Sequence, residues 1–279
     1  MGTVYLNALC AERTLGELKD EKTKDLLTTH RDVYMLGTAG TDLFRYFDAF
    51  SKDENTWLRD IASSLDEEGA DLFDRIKRYI AKAPAADREV LTAYALGMGL
   101  RHCLMYRTRG YYETLPKKGT GRAADNALYA AVDSAVLGSA PDVPALPRLL
   151  GSIPEKECLA IEKMYSVLIE EKKRAIIPDG IVKDCCGKLV KALSQKKSLL
   201  PIPRPGKEFV YTPSKDEEDL LNTSHRRWTD PSGDSCNFSV PEMCGYAVRD
   251  AKKLLVKLGE AIGRGIAGES CEFLFRNLK

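Results

Sequence analysis

Wherever apolar residues recur regularly in this chain, they recur every three or four positions. Leu72, Phe73, Ile76, Tyr79 and Ile80 keep that spacing, as do Ala124, Ala127, Leu128, Ala131, Val132, Ala135 and Val136, which predicts two amphipathic helices. Ile161, Met164, Tyr165 and Leu168 make a third stripe, and Ala247, Ala251, Leu254, Leu258 and Ile262 a fourth. The fourth follows Ser239-Val240-Pro241-Glu242, where Ser239 is a natural N-cap and Pro241 and Glu242 suit a first helical turn. Glycine and proline punctuate the gaps at 116–121, 138–147, 178–180 and 201–213. Short stretches such as Glu208-Phe209-Val210-Tyr211 have strand character but lack partners with matching alternation. The pattern predicts an all-α protein, one multi-helix bundle over residues 1–279, with 201–213 as a loop crossing its surface or else a linker. No internal repeat at a solenoid period is present.

Composition narrows the partners. The 279 residues carry 42 Lys+Arg against 41 Asp+Glu, a net charge of +1, whereas a general nucleic-acid binder needs a basic excess to neutralise phosphates. No nucleic acid is expected. With 44% hydrophobic and 30% charged residues, the chain has the balance of a globular protein. No apolar run approaches the roughly 18 residues of a membrane-spanning helix. Met1-Gly2-Thr3-Val4-Tyr5 lacks the basic start and apolar stretch of a secretory signal, and Leu6 stands where myristoylation wants Ser or Thr, so a cytoplasmic address is expected. The eight cysteines are scattered without a CxxC pair and are read as thiols, the adjacent Cys185 and Cys186 included.

Familiar catalytic motifs are absent. There is no GxSxG elbow, no P-loop and no HExxH, and Gly119-Thr120-Gly121-Arg122 follows Leu115-Pro116-Lys117-Lys118, which is not a strand. It is read as a turn entering a helix. The three histidines, His30, His102 and His225, do not stand at ligand spacing from one another. His102 is read as a core or interface residue. His225-Arg226-Arg227-Trp228 is read as a capped loop anchored by Trp228 on the C-terminal helix, and Lys172-Lys173-Arg174 as a basic run complementing a helix dipole.

An ordered set of short signatures carries more. Leu36-Gly37-Thr38-Ala39-Gly40-Thr41-Asp42-Leu43-Phe44 comes first, then Tyr94-Ala95-Leu96-Gly97-Met98 opening a helix through Tyr111. Asp125 to Leu137 follows, and finally Leu221-Asn222-Thr223-Ser224-His225 through Pro231 leads into a long C-terminal helix. Over most of its length the chain resembles the bacterial zinc-dependent phospholipase C family, helical enzymes of the phospholipase C/P1 nuclease-like fold. The resemblance implies that fold, clustered zinc ions, and hydrolysis of phosphodiesters such as phospholipids. In the family's first signature a proline stands where this chain has Thr41, while Asp42 keeps the acid.

The scaffold matches the family and the ligands do not. The family's core helix offers a histidine, an aspartate and a histidine at i, i+4 and i+8, positions that here hold Arg101, Met105 and Arg109. The next helix's histidine, glutamate and final aspartate correspond to Asp125, Tyr129 and Asp133, and two further histidines to about Asn7 and Asp66. Carboxylates without imidazole, beside two guanidiniums, make a poor zinc site, so zinc is expected to be lost and no cofactor takes its place. Three readings follow. Arg101 and Arg109, roughly 12 Å apart along a helix axis, form a buried ion-pair network with Asp42, Asp66 and Asp125. Alternatively they clamp a phosphate-bearing small molecule or lipid head group, with Tyr129, Tyr106 or Tyr111 packing on it. In the third, Asp42, Asp66 and Asp125 hold one hard cation for phosphodiester hydrolysis. A protein partner is compatible with the first two.

Overall fold

The protein is described by a computed structural model over residues 3–47, 49–50, 57–117, 121–139, 145–173, 175–195, 219–230, 232–265 and 270–276. The 201–213 stretch and the Glu208–Tyr211 segment lie outside them. The element order is α1 (Val4–Glu17), α2 (Glu21–Thr29), α3 (Arg31–Gly37), a 3-10 helix (Gly40–Tyr46), α4 (Trp57–Asp66), α5 (Ala70–Lys82), α6 (Ala85–Thr114) and α7 (Gly121–Ser139). Then follow α8 (Leu146–Gly151), α9 (Glu155–Lys173), α10 (Ile181–Leu193), the strands β1 (Trp228–Thr229) and β2 (Ser235–Cys236), α11 (Val240–Gly263) and α12 (Cys271–Arg276). Among the described residues the protein is all-α but for one antiparallel ladder, in which Trp228 pairs with Cys236.

Helix α6 organises the rest. Residues 93–101 are buried on every side, the mark of a helix surrounded by others; α11 packs along it, α3 crosses it, and α9 and α5 also touch it. Small residues make that possible. A Cβ on Gly37 would lie 2.2 Å from the Tyr94 carbonyl oxygen, and one on Gly97 would lie 2.3 Å from that of Tyr34, so α3 and α6 meet backbone to backbone. Gly99 plays a milder version of this role against Leu258, 3.1 Å from where its Cβ would stand.

All four predicted stripes are helices, in α5, α7, α9 and α11. The Ser239 cap is a full capping box: Ser239 Oγ accepts from the Glu242 amide at 3.4 Å and the Glu242 carboxylate accepts from the Ser239 amide at 2.8 Å. Two other helix starts are capped from far away in sequence. Asp133 on α7 accepts from the amides of Val4 (2.6 Å) and Leu6 (3.0 Å) at the head of α1, and Glu162 on α9 accepts from Gly180 (2.9 Å) and Val182 (3.2 Å) at the head of α10. One local reading is corrected. Trp228 sits edge-on to Tyr111 of α6, centroids 5.5 Å apart, and only its Nε1–H reaches toward α11, donating to the Phe238 carbonyl. Lys172, in the last turn of α9, also ties that helix to α4, donating to the Ser64 carbonyl at 2.8 Å and pairing with Glu68; Arg174 of the same basic run lies outside the described residues.

Candidate functional site

The first two signatures meet in space. Because Gly37 and Gly97 let α3 lie against α6, the turn after α3 arrives directly over the middle of α6. Gly40 takes a positive φ of +53° there, and a Cβ on it would stand 3.2 Å from Arg101 Cδ; glycine suits both the backbone and the space. The Tyr94 hydroxyl donates to the Gly40 carbonyl at 3.3 Å and shares a 3.0 Å hydrogen bond with the Tyr165 hydroxyl. These contacts fix the 3-10 helix, and with it Asp42, against Arg101.

Arg101 is the centre of the resulting cluster. It is 3% exposed. Its Nε and Nη2 donate to Asp42 Oδ2 at 3.2 and 2.7 Å, and its Nη1 and Nη2 donate to Asp66 Oδ1 and Oδ2 at 2.6 and 3.0 Å. The guanidinium thus spans two carboxylates from two elements, the strong bidentate geometry on the Asp66 side. Burial alone would raise the Asp42 carboxyl, but Arg101, assisted by Arg45, overrides it and holds that group well below the ordinary carboxylate range. Burial likewise works against the charge on Arg101, and Asp42 and Asp66 more than compensate, so its pKa lies above the usual arginine value. Arg45 flanks the cluster, its Nε 3.5 Å from Asp42 Oδ1 and its guanidinium 5.4 Å over the Tyr129 ring. Burial pushes the Tyr129 hydroxyl up to about 12, with Arg45 opposing.

The other sequence-predicted site residues are elsewhere. Arg109 is on the surface, its side chain 64% exposed and paired with Glu113 at 2.6 Å. Asp125 pairs with Lys117 at 2.7 Å. Met105 is half-buried one turn after Arg101. Asn7 is buried and donates to the Thr38 carbonyl at 2.9 Å, bracing the turn that carries Asp42. Asp133 is fully buried as the α1 cap; burial pushes its carboxyl up to about 7 against the backbone N–H groups that favour the anion. The expected five-residue network is therefore three residues, Arg101, Asp42 and Asp66, with Arg45 beside them. Arg45 was not read from the sequence, although it lies three residues after Asp42, directly behind the signature's last residue, Phe44.

Zinc does not fit this donor set. Both carboxylates nearest the implied position are engaged by a guanidinium, whose charge repels a cation, and among the described residues no group of three or more His, Cys, Asp and Glu is gathered to hold a metal ion. His102 lies between Phe73 and Phe275, ring centroids 6.3 and 4.4 Å away, where burial lowers its pKa to about 4. His30 stands 3.7 Å from Glu89, and His225 Nδ1 lies 3.2 Å from the Asn237 carbonyl oxygen. What the arrangement can do is hold three elements together by charge. Among the described residues no helix is long and apolar enough to cross a membrane. Comparison with protein-family models, with curated proteins and with solved structures finds no match to this chain.

Proposed function

We propose that this chain is a non-catalytic protein on a zinc-dependent phospholipase C-like scaffold, in which the Arg101–Asp42–Asp66 cluster supplies the cross-linking that a metal centre would otherwise give. The observation that carries it is the double engagement of the Arg101 guanidinium, with 2.6 to 3.2 Å contacts to carboxylates from the 3-10 helix and α4. A cation and a guanidinium cannot share those oxygens without repulsion. The phosphate-clamp reading loses its basis at Arg101, whose donors face protein carboxylates, and at Arg109, which pairs with Glu113 on the surface. A hydrolase built on Asp42, Asp66 and Asp125 would need Asp125 to leave Lys117.

Elemental analysis of the full chain, purified without chelator or histidine tag, tests the proposal alongside turnover of a chromogenic phosphodiester. The expected result is no stoichiometric zinc, manganese, magnesium or calcium, and no turnover. One metal ion per chain that disappears on Asp42→Asn, accompanied by hydrolysis, would overturn it.

A further inference from the structure

Arg59 is a buried charge for which the described residues supply no counter-ion. It stands in the first turn of α4, 7% exposed, and among the described residues its Nε and Nη2 have no hydrogen-bond acceptor. Helix packing does not ask for an arginine there, since Leu58, Ala62 and Leu65 supply the apolar face that holds α4 down. Taking a guanidinium out of water with no partner costs several kcal/mol, a cost that an anion would relieve. The two open groups also share one edge of the guanidinium. Nε–H and one Nη–H on that edge are parallel donors, the fork that meets two oxygens of a carboxylate or a phosphate side by side.

The described surroundings leave that edge unclaimed as well. Arg59 precedes Asp66 by seven residues, which puts both on one face of α4 and about 10 Å apart along its axis. Helix α4 runs antiparallel to the 3-10 helix. At one end Asp66 shares Arg101 with Asp42, and at the other Trp57 sits edge-on to Phe47, ring centroids 6.2 Å apart. Arg45 lies along the same strip, over Tyr129. Around Asp42 and Asp66 the described charges thus balance, Arg45 and Arg101 against the two carboxylates, and Arg59 stands outside those pairs.

We propose that Arg59, in the first turn of α4, receives a small-molecule oxyanion, a phosphate or carboxylate group, on the Nε/Nη2 edge of its guanidinium. This site goes beyond the family reading. Arg59 occupies none of the positions that reading assigns, and the inference holds whether or not Arg101 replaced a metal.

Thermal unfolding and titration calorimetry of the full chain test it, with sodium phosphate and sodium acetate as probes against sodium chloride at matched ionic strength. Wild type gains thermal stability with one of the two probes, and the probe that acts names the group. Arg59→Met gains nothing from either salt and is no less stable than wild type in chloride. Arg59→Lys keeps the charge but loses the fork, and binds at least about tenfold more weakly, the worth of one charge-assisted hydrogen bond. A loss of stability for Arg59→Met in chloride would show an internal partner and overturn the proposal. Equal gains by wild type and Arg59→Met would place the anion elsewhere, and no gain with either salt would leave Arg59 without a ligand of this class. Binding by Arg59→Lys as tight as wild type would remove the bidentate contact on which the site depends.

Discussion

Arg101 and Arg59 are both buried in helices, 3% and 7% exposed, and they differ in what faces them. Arg101 meets two carboxylates delivered by two other elements, each within hydrogen-bond reach. Arg59 keeps an edge of its guanidinium open among the described residues. A buried charge whose counter-ions come from its own chain acts as a structural tie, because removing it strands those counter-ions. One whose counter-ion is missing is a cost to the fold and an opportunity for a ligand. Arginine type and burial alone therefore do not tell structure from binding; the partner set does.

The sharpest test of that contrast is to truncate the tie. Arg101→Ala strands Asp42 and Asp66 facing each other, and breaking a buried pair from one side costs about 3–5 kcal/mol. Chemical denaturation should show a loss of that order, with Arg59→Met showing none. Equal losses at the two positions would erase the distinction between them.

A smaller but still large effect is expected where α3 and α6 touch. A methyl group at residue 97 would enter the Tyr34 carbonyl at 2.3 Å and Gly37 Cα at 2.8 Å, and these are backbone atoms that cannot swing aside. Gly97→Ala should cost about 1–3 kcal/mol by overpacking. Because the 3-10 helix hangs from this crossing, Gly97→Ala should also weaken the coupling between Arg101 and Asp42 in a double-mutant cycle. A wild-type denaturation midpoint for Gly97→Ala would mean that the helices do not meet this closely.

Two buried carboxylates should give the stability curve opposite slopes. Asp42 is held below its unfolded value of about 3.9, so the folded state binds fewer protons there. Its contribution is present above about pH 4 and is lost as the pH falls further. Asp133 is pushed up to about 7, so between about pH 4 and 7 the folded state keeps a proton that the unfolded state has released. Its contribution is full below about pH 4 and fades as the pH rises toward 7. Denaturation midpoints followed from about pH 3 to 8 should lose their acid limb in Asp42→Asn and their fall toward neutrality in Asp133→Asn. A fall that persists in Asp133→Asn would assign it to another group.

What the sequence made legible was local. Helical stripes and the Ser239 cap are set by neighbours within a few residues, and the structure uses them as read, whereas the closeness that Gly37 and Gly97 allow between α3 and α6 is set across the chain. The grouping of Arg101 with Asp42 and Asp66 came from the family resemblance, which laid the three on its site, and not from any local pattern. Asp133 shows the limit: its capping targets, Val4 and Leu6, lie in another helix far back in the chain, so no local pattern announces them. Arg59 was missed for a related reason. An arginine between Leu58 and Ala62 reads as one more solvent-facing position, and only packing reveals that it is enclosed. Trp228 was assigned to the helix that follows it in sequence, whereas its ring meets α6, which precedes it by more than a hundred residues.

Arg109 brings the contrast down to its smallest measurable effect. By spacing it seemed to share a face with Arg101, but eight residues at about 100° each leave a residual turn of roughly 80°. That drift carries Arg109 out of the α4 side of α6 and into solvent, where Glu113, one turn on, is its partner. An exposed i, i+4 pair contributes within about 0.5 kcal/mol, so Arg109→Ala should move the denaturation midpoint barely at all. Combined with Arg101→Ala it should add with little coupling, since the two side chains share no hydrogen-bonded partner and only the weaker, screened field of Asp66 reaches both. A large coupling between them would mean that both guanidiniums belong to one network, and the separation of tie from surface along α6 would fail.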